Sequence, residues 1–167
     1  MAVFGPGNSR KLGKYVIIKK ENDMGESEMF RKVLVPIDDS LIARKAANVA
    51  IDLAKRMGAE LLLISVVPLP EHAGTVGEVA EAKAEGESKV SKYLLEFQKA
   101  ANLSGIKAGA KILFGHPAHT ILKCATEGRF DLIVIGYKGA SAIQRFLLGS
   151  VSTAIAEHAQ CTVMIIK

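Results

Sequence analysis

The sequence predicts an α/β fold, an open five-stranded parallel sheet with helices on both faces. Three observations predict it. From residue 30 onward, five apolar runs of strand length recur along the 167-residue chain. Between them lie longer stretches whose apolar residues repeat at three and four, the period of a helix with one buried face. Glycine or proline punctuates nearly every junction. Strands alternating with helices argue a parallel sheet, since a parallel pair needs a crossover between its members.

Residues 32–37 form the first strand, an apolar run of the kind buried on both faces. Asp39 or Ser40 caps the first helix, whose apolar positions are Ile42, Ala46, Val49, Ala50, Leu53 and Met57, and Gly58 stops it. The second strand is Glu60–Val67, ended by Pro68, and Pro70, Gly74 and Gly77 make the next segment a loop. A helix then runs to about Asn102, with Val90, Leu94, Phe97 and Ala101 on one face and Gly105 as its stop. Residues 107–114 form the third strand; alternation of Ala108, Ala110, Ile112 and Phe114 suits an outer position. Pro117 belongs in the first turn of the third helix, which Gly128 terminates. The fourth strand is 132–135, and a glycine-rich loop, a short fourth helix and the last strand, Thr162–Ile166, complete the series.

Residues 1–28 read as an N-terminal extension to a domain at 29–167. The extension is polar and rich in loop residues, and either adds one short edge strand at Tyr15–Ile18 or is disordered. Met24 and Met29 offer alternative starts. Hydrophobic content of 49% and charge of 23% are those of a globular protein. No apolar run reaches the length of a membrane span or a signal peptide, so a cytoplasmic location is expected and a membrane partner is not. The net charge of +5 comes with a local excess of Arg10, Lys11, Lys14, Lys19 and Lys20, soon followed by acids. No basic stripe interleaved with aromatics accompanies it, which argues against nucleic acid. Cys124 and Cys161 lack zinc or redox spacing and read as small core residues. His116 and His119 lie three apart but lack a third ligand, so no metal site is assigned.

The segment carrying chemistry is GYKGASAIQRFLLGS, residues 136–150, directly after the fourth strand. Gly136 and Gly139 stand three apart, and Gly149 is followed by the hydroxyl of Ser150 at a helix start. Glycines let main-chain N–H groups approach an anion, and a helix N-terminus adds unpaired donors and partial positive charge. The spacing fits neither of the two commonest nucleotide fingerprints. Lys138 and Arg145 fall inside the loop and could neutralise phosphate charge. Asp38 stands at a strand end, where ligands bind in open sheets, although it could also join Asp39 in capping the first helix.

The pattern G-x2-G-x9-G-[ST] resembles the signature of the universal stress protein family in its ATP-binding branch. KVLVPID at 32–38 and CTVMIIK at 161–167 are similar to that family's first and last strands. The resemblance implies a Rossmann-like strand order of 3-2-1-4-5, bringing the first and fourth strands together at the reversal. It implies that Pro36, Ile37 and Asp38 line the adenine and ribose side, with Asp38 accepting hydrogen bonds from the nucleoside, and that Val66 meets the adenine edge. Gly136 would lie by the ribose and Gly139 and Gly149 by the phosphates. Ser150, Val151 and Ser152 would offer backbone N–H groups, and the serines their hydroxyls. Tyr137 departs from the family's small or polar residues there, and its ring either packs outside or crowds the ribose. The implied cofactor is ATP, or AMP or ADP, with Mg2+ admissible beside ATP. A homodimer formed along Thr162–Ile166 is expected, because an apolar edge strand needs cover and the family pairs this way. The implied function is a nucleotide-dependent module of the stress response. The alternatives are a slow ATP hydrolase using the same loop and a nucleotide-free interaction module. No catalytic residue is assigned.

Overall fold

The computed structural model describes residues 9–12, 15–18, 30–69, 75–140 and 148–167. The described strands are β1 (Ser9–Leu12), β2 (Tyr15–Ile18), β3 (Lys32–Pro36), β4 (Glu60–Val67), β5 (Ala108–Phe114), β6 (Leu132–Gly136) and β7 (Thr162–Ile166). The helices are α1 (Leu41–Met57), α2 (Val76–Leu103), α3 (Pro117–Glu127) and α4 (Ser150–His158). All the strands join one sheet in the order β1-β2-β7-β6-β3-β4-β5. From β5 to β7 every pairing is parallel, which is the expected 3-2-1-4-5 arrangement.

Alternate residues of the central strands feed two cores. Val33, Val35, Leu61, Leu63, Leu132 and Val134 pack under α1 and α2. Leu34, Ile64, Ile133, Ile135, Val163 and Ile165 pack under α3 and α4. Burial on both faces is why these strands read as continuous apolar runs. β5 lies at the outer edge, and none of its residues is fully buried.

α1 begins where the Ser40 hydroxyl accepts the Ala43 N–H at 3.1 Å, and ends at Gly58 with φ +65°, a left-handed conformation suited to glycine. Its buried stripe is mostly alanine: Ala43, Ala46, Ala47, Ala50 and Ala54, with Ile51. Ile42, Val49, Leu53 and Met57, expected in the core, are only half-buried at its margin. The small stripe brings α1 close to the sheet. α2 starts at a reciprocal capping box between Thr75 and Glu78, so that Gly77, expected in the loop, lies in its first turn. Gly86 lets this helix cross the end of β4, since a Cβ there would stand 2.2 Å from Val67 Cγ1.

The expected open edge at Thr162–Ile166 is corrected. β2 pairs antiparallel with β7, Tyr15 opposite Ile166 and Ile18 opposite Val163, and β1 pairs with β2 in turn. The chain's own N-terminal hairpin supplies the backbone partner that a second copy was expected to supply.

Candidate nucleotide-binding crevice

β3 leads into α1 on one face of the sheet, and the adjacent β6 leads through the glycine loop into α4 on the other. Connections diverging from neighbouring parallel strands leave a gap beyond their carboxyl ends. A crevice of about 880 Å³ lies there. Pro36, Ile37 and Asp38 line it from β3, Val66 from β4, and Gly136 and Gly139 from β6 and its loop. Gly149, Ser150, Val151 and Ser152 line it from the start of α4. The residues singled out in the sequence therefore converge on one cavity. Lys138 also lines it, whereas Arg145 lies outside the described residues.

Asp38 is fully engaged at the mouth. Its Oδ1 accepts the Ser40 N–H at 3.1 Å and the Ser40 hydroxyl at 2.5 Å. Its Oδ2 accepts the Ala140 N–H at 2.7 Å. One oxygen thus braces Ser40, the cap residue of α1, and the other meets the start of the glycine loop. Asp39 instead pairs with Arg44 at 2.9 Å on the surface, and that hydrogen bond raises the guanidinium's pKa.

Two of the glycines have close protein neighbours. A Cβ on Gly136 would stand 2.8 Å from Ile42 Cγ2 and 3.3 Å from the Ile42 carbonyl carbon, so this residue is small to let β6 meet α1. A Cβ on Gly139 would stand 2.6 Å from Asp38 Oδ2. At Gly149 the nearest atoms are 3.4 Å away, an ordinary contact. An added carbon would press on α1 at Gly136 and on the end of the Asp38 side chain at Gly139. Only at Gly149 is room left for an added carbon.

Gly149 is the N-cap of α4 and, having no side chain, leaves the helix uncapped. In α1 and α2 one first-turn donor is met by the Ser40 and Thr75 side chains, whereas α3, like α4, has no side-chain cap. The N–H groups of Ser150, Val151 and Ser152 have no intrahelical acceptors, and they open onto the crevice with the positive end of the helix dipole. Ser150 is exposed there. The Ser152 hydroxyl is not available as expected: Ser152 is 2% exposed, and its hydroxyl lies 2.9 Å from both the Tyr137 and Gly149 carbonyl oxygens. Tyr137 O also accepts the Gly149 N–H at 2.8 Å, which closes the base of the loop. The half-buried Tyr137 ring packs against the core beneath α3 and α4 and is not among the residues lining the crevice. The Lys138 ammonium sits 5.4 Å from its centroid.

Sequence reasoning missed the far wall. Pro117 and Ile121 of α3, Leu148, and Ala154 and Glu157 of α4 also line the crevice. Pro117 follows the carboxyl end of β5 and so was open to the same strand-end argument; the apolar residues resemble ordinary core. Among the described residues no cluster of three or more His, Cys, Asp or Glu could hold a metal ion. Burial pushes the Cys124 thiol pKa up, away from nucleophile chemistry.

A family model described as the universal stress protein family matches residues 29–167. A curated universal stress protein of Methanocaldococcus jannaschii is 33% identical over 92% of this chain and 91% of its own length. The solved universal stress protein UspA from Lactobacillus plantarum superposes with a TM-score of 0.76 at 25% identity, covering 84% of this chain and all of that one. A universal stress protein solved in complex with cAMP is 25% identical, with a TM-score of 0.65 over 83% of this chain and 97% of that chain.

Proposed function

Because the chain belongs to the universal stress protein family, we propose that its crevice binds an adenine nucleotide and that it serves as a nucleotide-dependent module of the stress response. The observation that carries the reading is the uncapped N-terminus of α4, which opens onto a cavity at the reversal of strand order. An anionic group would satisfy the donors of Ser150, Val151 and Ser152. The apolar surface of Pro36, Ile37, Ile64 and Val66 suits a flat, weakly polar base. The relative solved with cAMP supports the adenine class.

Within that class we favour ATP, with AMP and ADP as its shorter forms. The triphosphate would use the α4 donors and the Lys138 side of the loop. Mg2+ would enter with the phosphates rather than on a protein cage, consistent with its preference for phosphate oxygens and water. Cytoplasmic residence is part of the proposal; among the described residues no helix is long and apolar enough to cross a membrane. Pairing of two copies along Thr162–Ile166 would require β2 to leave β7, so we do not carry the homodimer forward for the intact chain.

A slow ATP hydrolase on the same loop is the second reading. Asp38 does not favour it: both carboxylate oxygens are held by Ser40 and Ala140, a poor arrangement for a base that must activate water. Mass spectrometry of the small molecule released from protein purified without added nucleotide tests the proposal. An adenine nucleotide in near-stoichiometric amount is expected; a different ligand class in the crevice would overturn it.

A further inference from the structure

We propose that Asp38 is a positioning residue for phosphate, a latch that holds residues 136–140, the start of the glycine loop, in their binding geometry through the backbone of Ala140. The inference rests on the nucleotide reading and assigns Asp38 a role distinct from direct contact with the nucleoside. Ser40 anchors Oδ1 with two donors, at 3.1 Å from its amide and 2.5 Å from its hydroxyl. Ser40 itself is fixed because its hydroxyl caps the Ala43 N–H of α1. With one oxygen tied to the helix, the other is aimed at the Ala140 N–H, 2.7 Å away, in a charge-assisted hydrogen bond.

The start of the loop is thereby held at two points, residues 137 and 140. Gly149 N–H and the Ser152 hydroxyl meet the Tyr137 carbonyl at its base. Asp38 holds residue 140, at the start of the span that leads to α4. Gly139 fits the same device, because a Cβ there would stand 2.6 Å from the latching oxygen. A carboxylate beside a phosphate site would otherwise repel its ligand. Here its charge is met by N–H and O–H donors, which lowers that cost.

Asp38→Asn separates the two functions of the carboxylate. Its single carbonyl oxygen is drawn to the two Ser40 donors, leaving the amide NH2 against the Ala140 N–H, donor facing donor. The first measurement is residue-resolved hydrogen exchange on the nucleotide-free full chain. The Ala140 amide is expected to exchange at least about tenfold faster in Asp38→Asn, the lower end of what a lost charge-assisted bond gives. The second is calorimetry with ATP and with adenosine. ATP affinity is expected to fall about tenfold or more, and by a larger factor than adenosine affinity falls. The third is a double-mutant cycle: Gly139→Ala weakens ATP in the wild-type background but adds nothing in an Asp38→Ala background, where its clash partner is gone.

Unchanged Ala140 exchange would overturn the latch. Equal loss of adenosine and ATP affinity would overturn it too, by showing that Asp38 acts on the nucleoside alone. Additivity of Gly139→Ala with Asp38→Ala would remove its steric basis. Absence of ATP binding by the unaltered chain would instead overturn the nucleotide reading and the phosphate role with it, while exchange at Ala140 still decides whether the latch itself exists.

Discussion

Asp38 Oδ2 and the backbone nitrogen of Ala140, 102 positions apart in sequence, stand 2.7 Å apart at the mouth of the crevice. The contact couples the end of β3 to the loop after β6, the two segments that a parallel sheet brings together at its reversal. A Cβ on residue 139 would press on the same oxygen. Fold, loop geometry and site chemistry meet in this pair, and the following outcomes are expected from it and its surroundings.

Gly149→Asp should stabilise the fold and weaken nucleotide binding together. Residue 149 has φ −73° and ψ 154°, the extended conformation of an N-cap, and its surroundings admit an added Cβ at 3.4 Å. A carboxylate there would accept the first-turn donors and favour α4 by about 0.5–1 kcal/mol, through the cap and the helix dipole. The same carboxylate would occupy the phosphate position. Thermal denaturation should show a higher Tm, and calorimetry an ATP affinity lower by about tenfold or more. A lower ATP affinity without any gain in Tm would count against the uncapped-helix account.

Gly136→Ala should act through packing. Its Cβ would press on Ile42 and force β6 and α1 apart, an overpacking cost of about 1–3 kcal/mol. Ile42→Ala in the same chain should restore part of that loss by removing Cγ2. Chemical denaturation of the two variants checks it. A Gly136→Ala variant as stable as the parent would show that the strand and helix are not in close contact there.

Deleting residues 1–18 should expose the backbone of β7, now paired with β2. An apolar strand with an open edge recruits another strand, so the shortened chain should associate while the full chain does not associate through this edge. Light scattering across a concentration series distinguishes the two. Identical masses for both forms would contradict a role for the hairpin as edge cover.

ATP turnover should be slow beside binding. Backbone donors at a helix N-terminus hold ground-state and transition-state phosphate about equally, which gives affinity without rate. Protein loaded with ATP and magnesium should release it largely intact in a single-turnover assay. Hydrolysis within seconds, abolished by Ser150→Ala, would place the enzyme reading first.

The core strands were legible because two-sided burial writes continuous apolar runs at Lys32–Pro36, Leu132–Gly136 and Thr162–Ile166. The candidate crevice was located by glycine spacing, but the protein neighbours of two of those glycines were not visible. Ile42 beside Gly136 and Asp38 beside Gly139 are tertiary neighbours that spacing does not reveal. The inward turn of the Ser152 hydroxyl had a usable signal, since Ser152 shares a helix face with the buried Ile155 and Ala156, three and four positions on. The cover on β7 had a weaker one. Tyr15–Ile18 read as a possible strand, but an antiparallel partner from the other end of the chain has no local signature.

The central claim is that this crevice binds an adenine nucleotide with its phosphates on the N-terminus of α4. Calorimetric titration of nucleotide-free full-length protein with ATP and, in parallel, with adenosine tests it most directly. The account predicts saturable one-to-one binding of ATP, at least about tenfold tighter than adenosine, because charge-assisted bonds to phosphate are lost with the phosphates. No ATP binding at millimolar concentration, or equal affinity for ATP and adenosine, would contradict it.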